Sequence, residues 1–160
     1  MEEYIMTIDE GTTSARAVLF NKDSEIIAIC AKEFAQYYPQ PGWVEQDPKE
    51  IWLTTKEVIN RVVLQAGIDP RQIKAAGITN QRETVVVYDK NTGEPVYNAI
   101  GWADRRTAPY CDELKAAGKE QMFIDKTGLL IDGYFSGTEI KWILDNVPGA
   151  REKAEAGDLY

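Results

Sequence analysis

The stretch Asp9-Glu10-Gly11-Thr12-Thr13-Ser14-Ala15-Arg16 carries residue types that can bind phosphate and a metal ion. Gly11 can take a positive φ that other residues avoid, and Arg16 adds a permanent positive charge. Hydroxyl groups beside a run of backbone N–H donors come from Thr12, Thr13 and Ser14. Asp9 suits Mg²⁺, because magnesium takes few carboxylates and keeps much of its water. The Gly-Lys-Ser/Thr ending of a Walker A loop is absent, and alone the stretch fits an ordinary polar hairpin turn equally well.

A second polar stretch, Asn80-Gln81-Arg82-Glu83-Thr84, separates two apolar runs in the middle of the chain. An arginine beside a glutamate supplies donors and acceptors together, which suits the recognition of vicinal hydroxyl groups. Adjacent side chains of a regular strand point to opposite faces, so Arg82 and Glu83 can share a ligand only where the backbone is irregular. Trp102 can cover the carbon face of a polyol. The commoner interpretation of Arg82 and Glu83 is a surface ion pair, and the commoner interpretation of Trp102 is a core residue.

The elements that must position these residues are predicted from periodicity. Aromatic and β-branched runs at residues 4–8, 17–20 and 26–29 predict three strands joined as an antiparallel meander. Asp47 and Pro48 begin a long helix that Gly67 ends. Its apolar stripe is Ile51, Trp52, Thr55, Val58, Ile59, Val62, Val63 and Ala66. Residues 73–79 predict a strand that enters the sheet parallel to a neighbour, because a helix precedes it.

Shorter elements follow in the second half of the chain. Residues 85–88 form an apolar run, and a helix is predicted to begin at Asp104, which puts Arg105 and Arg106 in its first turn and requires carboxylate partners for them. Ser136-Gly137-Thr138-Glu139 predicts a capping box. The helix it opens carries Ile140, Ile143, Leu144 and Val147 on one face, and a last polar helix covers residues 150–156. No linker or repeat interrupts the pattern, so residues 1–160 are predicted to form one domain.

The composition excludes several classes of function. The 18 Lys and Arg are outnumbered by 26 Asp and Glu, giving a net charge of −8, so neither a nucleic-acid nor an anionic-membrane surface is expected. Histidine is absent, which excludes His-ligated zinc and Ser-His-Asp hydrolysis within this chain. Cys30 and Cys111 are expected to be free thiols. The acidic start Met1-Glu2-Glu3 and the lack of an apolar run near ~20 residues predict a cytoplasmic protein.

Four motifs together resemble the glycerol kinase family, one of the FGGY carbohydrate kinases. They are the Asp9–Arg16 stretch, Pro41-Gly42-Trp43-Val44-Glu45-Gln46-Asp47-Pro48, Gly77-Ile78-Thr79-Asn80-Gln81-Arg82-Glu83-Thr84 and Tyr134-Phe135-Ser136-Gly137-Thr138. The resemblance runs in order through the whole chain. It implies an α/β ribonuclease-H-like (actin-like ATPase) domain, with a mixed sheet that contains an antiparallel three-strand meander flanked by helices.

The resemblance also implies roles for individual residues. Asp9 would help to hold Mg²⁺, and Thr12, Thr13, Ser14 and Arg16 would approach the phosphates of ATP. Arg82, Glu83, Trp102 and Tyr134 would form the pocket for glycerol or a related polyol. A glycine turn with Mg²⁺ suits the charge of a transferred phosphoryl group, and a charged pair beside an aromatic wall suits a polyol.

Members of the family are considerably longer than this chain, which resembles the opening part of their N-terminal domain. Their general base and adenosine-binding loops lie beyond the position of Tyr160, so the 160-residue chain is expected to be inactive alone. Trp102-Ala103-Asp104-Arg105-Arg106 also resembles other FGGY sugar kinases, which leaves such a kinase open as an alternative. A second alternative is a stand-alone domain that binds a polyol or a partner without catalysis, and an exposed apolar face predicts a possible homo-oligomer.

Overall fold

The apolar runs near the start of the chain form a four-stranded sheet in the computed structural model, which describes residues 2–160. The elements are β1 (Tyr4–Glu10), β2 (Ser14–Asn21), β3 (Ile26–Glu33), β4 (Glu45–Gln46), α1 (Pro48–Ala66), β5 (Ile73–Thr79), β6 (Ala99–Ile100), α2 (Ala108–Ala116), α3 (Glu120–Thr127), α4 (Ser136–Asn146) and α5 (Ala150–Glu155). Met1, part of the acidic start considered above, lies outside the described residues.

The chain divides into two compact units, and each contains one sheet. The first unit consists of the chain up to Gln36 and Lys49–Gln81, whereas the second consists of Tyr37–Pro48 and Arg82–Tyr160. Both units are therefore built from two separate stretches of sequence.

The sheet of the first unit is mixed and has the order β3-β2-β1-β5. β1 pairs antiparallel with β2, β2 pairs antiparallel with β3, and β5 pairs parallel with β1. A parallel neighbour needs a crossover connection, which α1 supplies between β3 and β5. The predicted meander and the predicted parallel entry of β5 are both confirmed.

α1 packs its inward face on this sheet. The helix begins at Pro48, where a missing N–H has no cost, and ends before Gly67, whose φ of +65° is accessible to glycine. Val58 and Val62 are completely buried, and burial of such a side chain contributes about 1.5–3 kcal/mol. The assignment of Trp52 to the core stripe was wrong, because its side chain is 60% exposed and its ring lies 5.2 Å from the Lys56 ammonium on the outer surface.

The second unit has little regular β structure. β4 and β6 pair antiparallel over two residues each. The apolar run at residues 85–88 forms no continuous strand but makes isolated bridges, Val85 with Ile100 and Tyr88 with Pro95.

One predicted helix start and one predicted capping box in this unit were wrong. α2 begins at Ala108 and not at Asp104, because the Asp104 carboxylate accepts a 2.7 Å bond from the Arg106 backbone N–H and holds the preceding segment in a turn. The capping box at Ser136 does not form: Phe135 is the N-cap of α4 and makes no side-chain capping bond. Along α4, Ile143 is fully buried as expected, but Ile140 is 39% exposed.

Both cysteines, Cys30 and Cys111, are buried free thiols, as expected. Within residues 2–160, none of the helices combines the length and the apolar character needed to cross a membrane.

Candidate functional site

The first candidate site is the hairpin turn, Gly11-Thr12-Thr13, between β1 and β2. The Gly11 N–H donates to the Ser14 carbonyl at 2.9 Å. The Gln36 side-chain amide donates to the Thr12 carbonyl at 2.9 Å, and the Phe34 N–H donates to the Thr13 carbonyl at 3.2 Å. These bonds engage the carbonyls of Ser14, Thr12 and Thr13 within the protein and so fix the conformation of the turn.

Gly11 is required in this turn for space and not for its backbone angle. Its φ is outside the positive region, so the turn does not use the positive φ that Gly11 can take. A Cβ built at Gly11 would lie 3.1 Å from the Ser14 carbonyl oxygen, closer than side chains normally approach. The close contact follows from the bond between Gly11 and Ser14 that closes the turn.

Asp9 and Arg16 lie opposite each other in the register of β1 and β2. The Arg16 Nη1 lies 3.8 Å from the Asp9 Oδ2, and the two side chains are 51% and 43% exposed, so this weak surface pair leaves both groups accessible to a ligand. A half-exposed single carboxylate fits Mg²⁺ that keeps its water and is shared with phosphate. Among residues 2–160 no group of three or more His, Cys, Asp or Glu side chains is placed to hold a metal, so a cage made by protein side chains alone is not formed there.

Glu10, beside Asp9, ties the hairpin to α1. The Thr55 hydroxyl donates to its Oε1 at 2.7 Å, and its Oε2 is buried without a hydrogen-bond partner. Burial raises the pKa of Glu10, the bond from Thr55 lowers it, and the neighbouring charge of Asp9 raises it, with a net rise. Glu10 belongs to the Asp9–Arg16 stretch, but the sequence predicted no role for it, because only the fold shows that its side chain contacts α1.

The second candidate site is the candidate polyol cluster, which we define as Arg82, Glu83, Trp102 and Tyr134. Glu83 has a φ of +69°, one of two positive values at non-glycine residues in the described chain. Residues other than glycine take such angles at a cost, and they persist where the surroundings hold them. The irregular backbone that a shared role of Arg82 and Glu83 requires is therefore present.

Contacts from three segments assemble this cluster. The Ser136 hydroxyl donates to the Glu83 carbonyl at 2.8 Å, and the Trp102 N–H donates to the Thr84 hydroxyl at 3.2 Å. The rings of Trp102 and Tyr134 meet at a centroid distance of 5.9 Å and an interplanar angle of 65°. Trp102 remains 36% exposed, so its indole is available to a ligand and is not a core residue.

A buried charged group beneath this region, the Arg106 cluster, consists of Arg106 with Glu45, Asp104 and Tyr97. The Arg106 guanidinium donates to Glu45 at 2.8 Å and to Asp104 at 2.9 and 3.0 Å, and its side chain is completely buried. The Arg106 Cζ lies 3.8 Å from the Trp43 ring centroid, which adds a cation–π contact. The expected carboxylate partner of Arg106 is confirmed.

The Arg106 cluster fixes the segment that carries Trp102. Asp104 accepts from the Val44 N–H at 2.6 Å and from the Arg106 N–H at 2.7 Å, so both of its oxygens are engaged. Burial raises the pKa of Glu45, but the hydrogen bonds that it accepts outweigh this and the pKa is lowered. Arg105, in contrast, is exposed and pairs with Asp132 at 3.6 Å.

Each predicted set of site residues belongs to a single unit. Asp9, the turn hydroxyls and Arg16 belong to the first unit, and the candidate polyol cluster belongs to the second. Sequence reasoning missed the supporting residues Ser136 and Thr84. Ser136 belongs to the Tyr134–Thr138 motif, but the sequence predicted that its hydroxyl would cap a helix.

Comparison with known proteins identifies the family of this chain. A model of the N-terminal domain of the FGGY family of carbohydrate kinases matches residues 4–159. The chain belongs to the FGGY family of carbohydrate kinases. The glycerol kinase of Carboxydothermus hydrogenoformans is 61% identical over 158 residues, which cover 99% of this chain and 32% of that protein. The glycerol kinase of Chromobacterium violaceum is 60% identical with the same coverage.

Solved structures agree with the fold of this FGGY member. Plasmodium falciparum glycerol kinase with ADP superposes with a TM-score of 0.90 and 31% identity, covering 99% of this chain and 32% of that one. A gluconate kinase from Lactobacillus acidophilus has a TM-score of 0.83 and 25% identity, covering 91% and 29%. These similarities confirm the predicted α/β, actin-like ATPase fold. The chain spans about a third of the length of the curated relatives it matches.

Proposed function

We propose that this chain is the N-terminal part of an ATP-dependent glycerol kinase, which transfers the γ-phosphoryl group of ATP to glycerol and forms glycerol 3-phosphate. The observation that carries the proposal is the identity of about 60% with glycerol kinases along nearly the whole chain. The candidate polyol cluster supports it, because the backbone at Glu83 has the irregularity that a shared role of Arg82 and Glu83 requires and the partly exposed rings of Trp102 and Tyr134 contact each other.

In this proposal the hairpin turn approaches the phosphates and Asp9 helps to hold Mg²⁺. When bound, Mg²⁺ would neutralise charge on the transferred phosphoryl group. Arg16 would add a fixed positive charge, and the hydroxyls and N–H groups of the turn would orient the phosphate oxygens. The half-exposed carboxylate of Asp9 supports its proposed role, and the 3.8 Å contact between Asp9 and Arg16 is weak enough to be exchanged for a ligand.

In the candidate polyol cluster, Arg82 would donate to glycerol hydroxyls and the Glu83 carboxylate would accept from them. The rings of Trp102 and Tyr134 would cover the carbon atoms. We further propose that residues 1–160 are an N-terminal kinase domain, and that the general base and the adenosine site come from sequence outside these residues. The cytoplasmic location remains a prediction.

A chimera tests the proposed activity. Replacing the matching third of the Carboxydothermus hydrogenoformans glycerol kinase by residues 1–160 should give an enzyme that phosphorylates glycerol with ATP, whereas the isolated 160-residue chain should not. A chimera that folds, as judged by its cooperative unfolding, but leaves glycerol unphosphorylated would contradict the proposal. ATP-dependent phosphorylation by the isolated chain would contradict the assignment of the base to other sequence.

A kinase for another sugar or polyol is the second candidate function. It is supported by the similarity to the gluconate kinase structure and by Gly101 and Ala103, which flank Trp102 and depart from the usual glycerol kinase pattern. The same chimera distinguishes the two candidates when it is supplied in turn with glycerol, gluconate and xylulose. The largest kcat/KM identifies the substrate class.

Self-association is a further part of the proposal. The face of the first sheet that points away from α1 exposes Ile5 by 50% and Ile29 by 46%, and such apolar surface favours burial against another surface. Light scattering at increasing protein concentration should detect an oligomer, and a constant monomeric mass would contradict it.

A further inference from the structure

Glu139 is a buried carboxyl group that the proposed site does not use. It lies in the first turn of α4, and its side chain is 0% exposed. Neither Oε1 nor Oε2 has a hydrogen-bond partner. Buried polar groups are nearly always paired, and an ionised carboxylate left alone in the interior is very costly, so this arrangement calls for a specific explanation.

The charged groups that face Glu139 do not neutralise it. They are Asp104, Arg106 and Glu83, of which two are acidic. The single cation, Arg106, already donates to Glu45, Asp104 and Tyr97. Burial, followed by the charge of Asp104, raises the pKa of Glu139 to about 9. The side chain is therefore a neutral acid at neutral pH.

The location of Glu139 connects its charge to the candidate polyol cluster. Ser136, one turn earlier on α4, donates its hydroxyl to the Glu83 carbonyl at 2.8 Å, and Tyr134 lies two residues before the helix begins. The side chain of Glu83 supplies the acceptor oxygens of the candidate polyol cluster. A negative charge on Glu139 would repel both Glu83 and Asp104. If α4 then moved away from Glu83, the hydrogen bond from Ser136 that holds the positive φ of Glu83 would be strained.

We propose that Glu139 is a positioning residue of the polyol site, whose neutral form keeps the first turn of α4 seated against the Glu83 segment and whose ionisation releases it. The inference rests on the proposed function, since it concerns the affinity of the same site for glycerol. Glu139 touches no substrate and acts through Ser136 and the backbone of Glu83.

The test compares glycerol binding by the natural gene product that carries this chain with that of its Glu139→Gln variant, by calorimetry between pH 7 and pH 10. Glutamine keeps the shape and cannot ionise. If only the form with neutral Glu139 binds, the wild-type Kd should rise about tenfold by pH 10, because the competent fraction then falls to about a tenth. The Kd of Glu139→Gln should stay nearly constant, and Glu113→Gln, an exposed glutamate on α2, should follow the wild type.

A second measurement does not depend on glycerol or on the variant. Carbon-13 NMR of the Glu139 carboxyl in the wild type should show a titration near pH 9. Since the folded pKa lies above the unfolded one, the folded state binds more protons, and wild-type stability should fall relative to Glu139→Gln as pH rises from about 4.5 toward about 9.

The outcomes separate the two proposals. Binding of glycerol with the same pH dependence in the wild type and in Glu139→Gln would overturn the positioning role while leaving the proposed function intact. A carboxyl that titrates near the ordinary glutamate value would also overturn it. No glycerol binding by the wild type at pH 7 would overturn the proposed function and, with it, the positioning role, even if the NMR titration shows a neutral acid.

Discussion

The hairpin turn and the candidate polyol cluster are positioned by different kinds of structure. The hairpin turn lies between two regular strands whose register places Asp9 opposite Arg16, and its three carbonyls accept hydrogen bonds from Gly11, Gln36 and Phe34. The candidate polyol cluster is assembled from residues 82–83, 102 and 134, and it depends on the buried Arg106 cluster and on a side-chain bond to the Glu83 carbonyl.

This difference predicts different sensitivities. A site on a regular hairpin depends mainly on space within the turn and on neutral hydrogen bonds, each of which contributes little. A site held by buried charges fails when one charge loses its partner, because an unpaired buried charge costs far more than a surface pair contributes. The predictions below test this contrast from the largest expected effect to the smallest.

Replacing Arg106 by methionine should have the largest effect. Glu45 and Asp104 would stay buried without their cation, which typically costs about 3–5 kcal/mol of stability. Urea unfolding measures the loss. Arg105→Met is the matched control, since its side chain is 53% exposed and its pair with Asp132 is long, so it should change stability by less than ~1 kcal/mol. Equal effects of the two variants would contradict the stabilising role of the buried Arg106 cluster.

Replacing Arg82 by alanine should weaken glycerol binding without a comparable loss of stability. The lost charged hydrogen bonds correspond to more than ~1.5 kcal/mol, or over about tenfold in affinity. Calorimetry on the natural gene product measures this. Arg61→Ala, at an exposed position on α1, should leave the affinity unchanged. An unaltered affinity in Arg82→Ala would exclude Arg82 from the site.

Replacing Gly11 by alanine should act on the hairpin turn through space alone. The new Cβ would lie 3.1 Å from the Ser14 carbonyl, so the turn must open, at a cost of about 1 kcal/mol, the low end for overpacking. Gly77→Ala on β5 is the control, because a Cβ there meets nothing within 4 Å. The melting temperatures of both variants and the wild type measure the effect. A Gly11→Ala protein as stable as the wild type would contradict the close contact between the new Cβ and the Ser14 carbonyl.

The smallest expected effect is a pH dependence of the Arg106 cluster. The pKa of Glu45 is lowered in the folded protein, so its contribution to stability is present above the ordinary glutamate pKa and is lost as pH falls through the lowered value. The loss of stability on acidification should therefore be smaller in Glu45→Gln than in the wild type. Glu33→Gln, at an exposed position on β3, should retain the wild-type dependence. Parallel acid profiles for wild type and Glu45→Gln would show that Glu45 does not contribute.

Local patterns were sufficient to predict the first unit. The meander, the extent of α1 and the parallel entry of β5 follow from strand and helix periodicity and from the rule that parallel strands need a crossover. The exception is Trp52, whose spacing matches the apolar stripe although its ring contacts Lys56 at the surface. Amphipathic spacing does not distinguish a residue at the margin of the stripe from one at its centre.

The second unit was predicted less well, and the errors share a cause. The start of α2 and the capping box of α4 both failed because side chains that commonly cap helices bond elsewhere: Asp104 to Arg106 and Val44, and Ser136 to Glu83. A capping residue has several possible acceptors and donors, and only the fold decides which of them is within reach.

The sequence by itself determined the family resemblance, the fold class and the identity of the candidate site residues, because short motifs and periodicity are local properties. Tertiary structure alone decided how those residues are supported: the positive φ of Glu83, the completely buried guanidinium of Arg106 and the buried carboxyl of Glu139, whose oxygens have no hydrogen-bond partner. The physical reason is that burial and the pairing of charges depend on segments distant in sequence, whose approach no local pattern encodes.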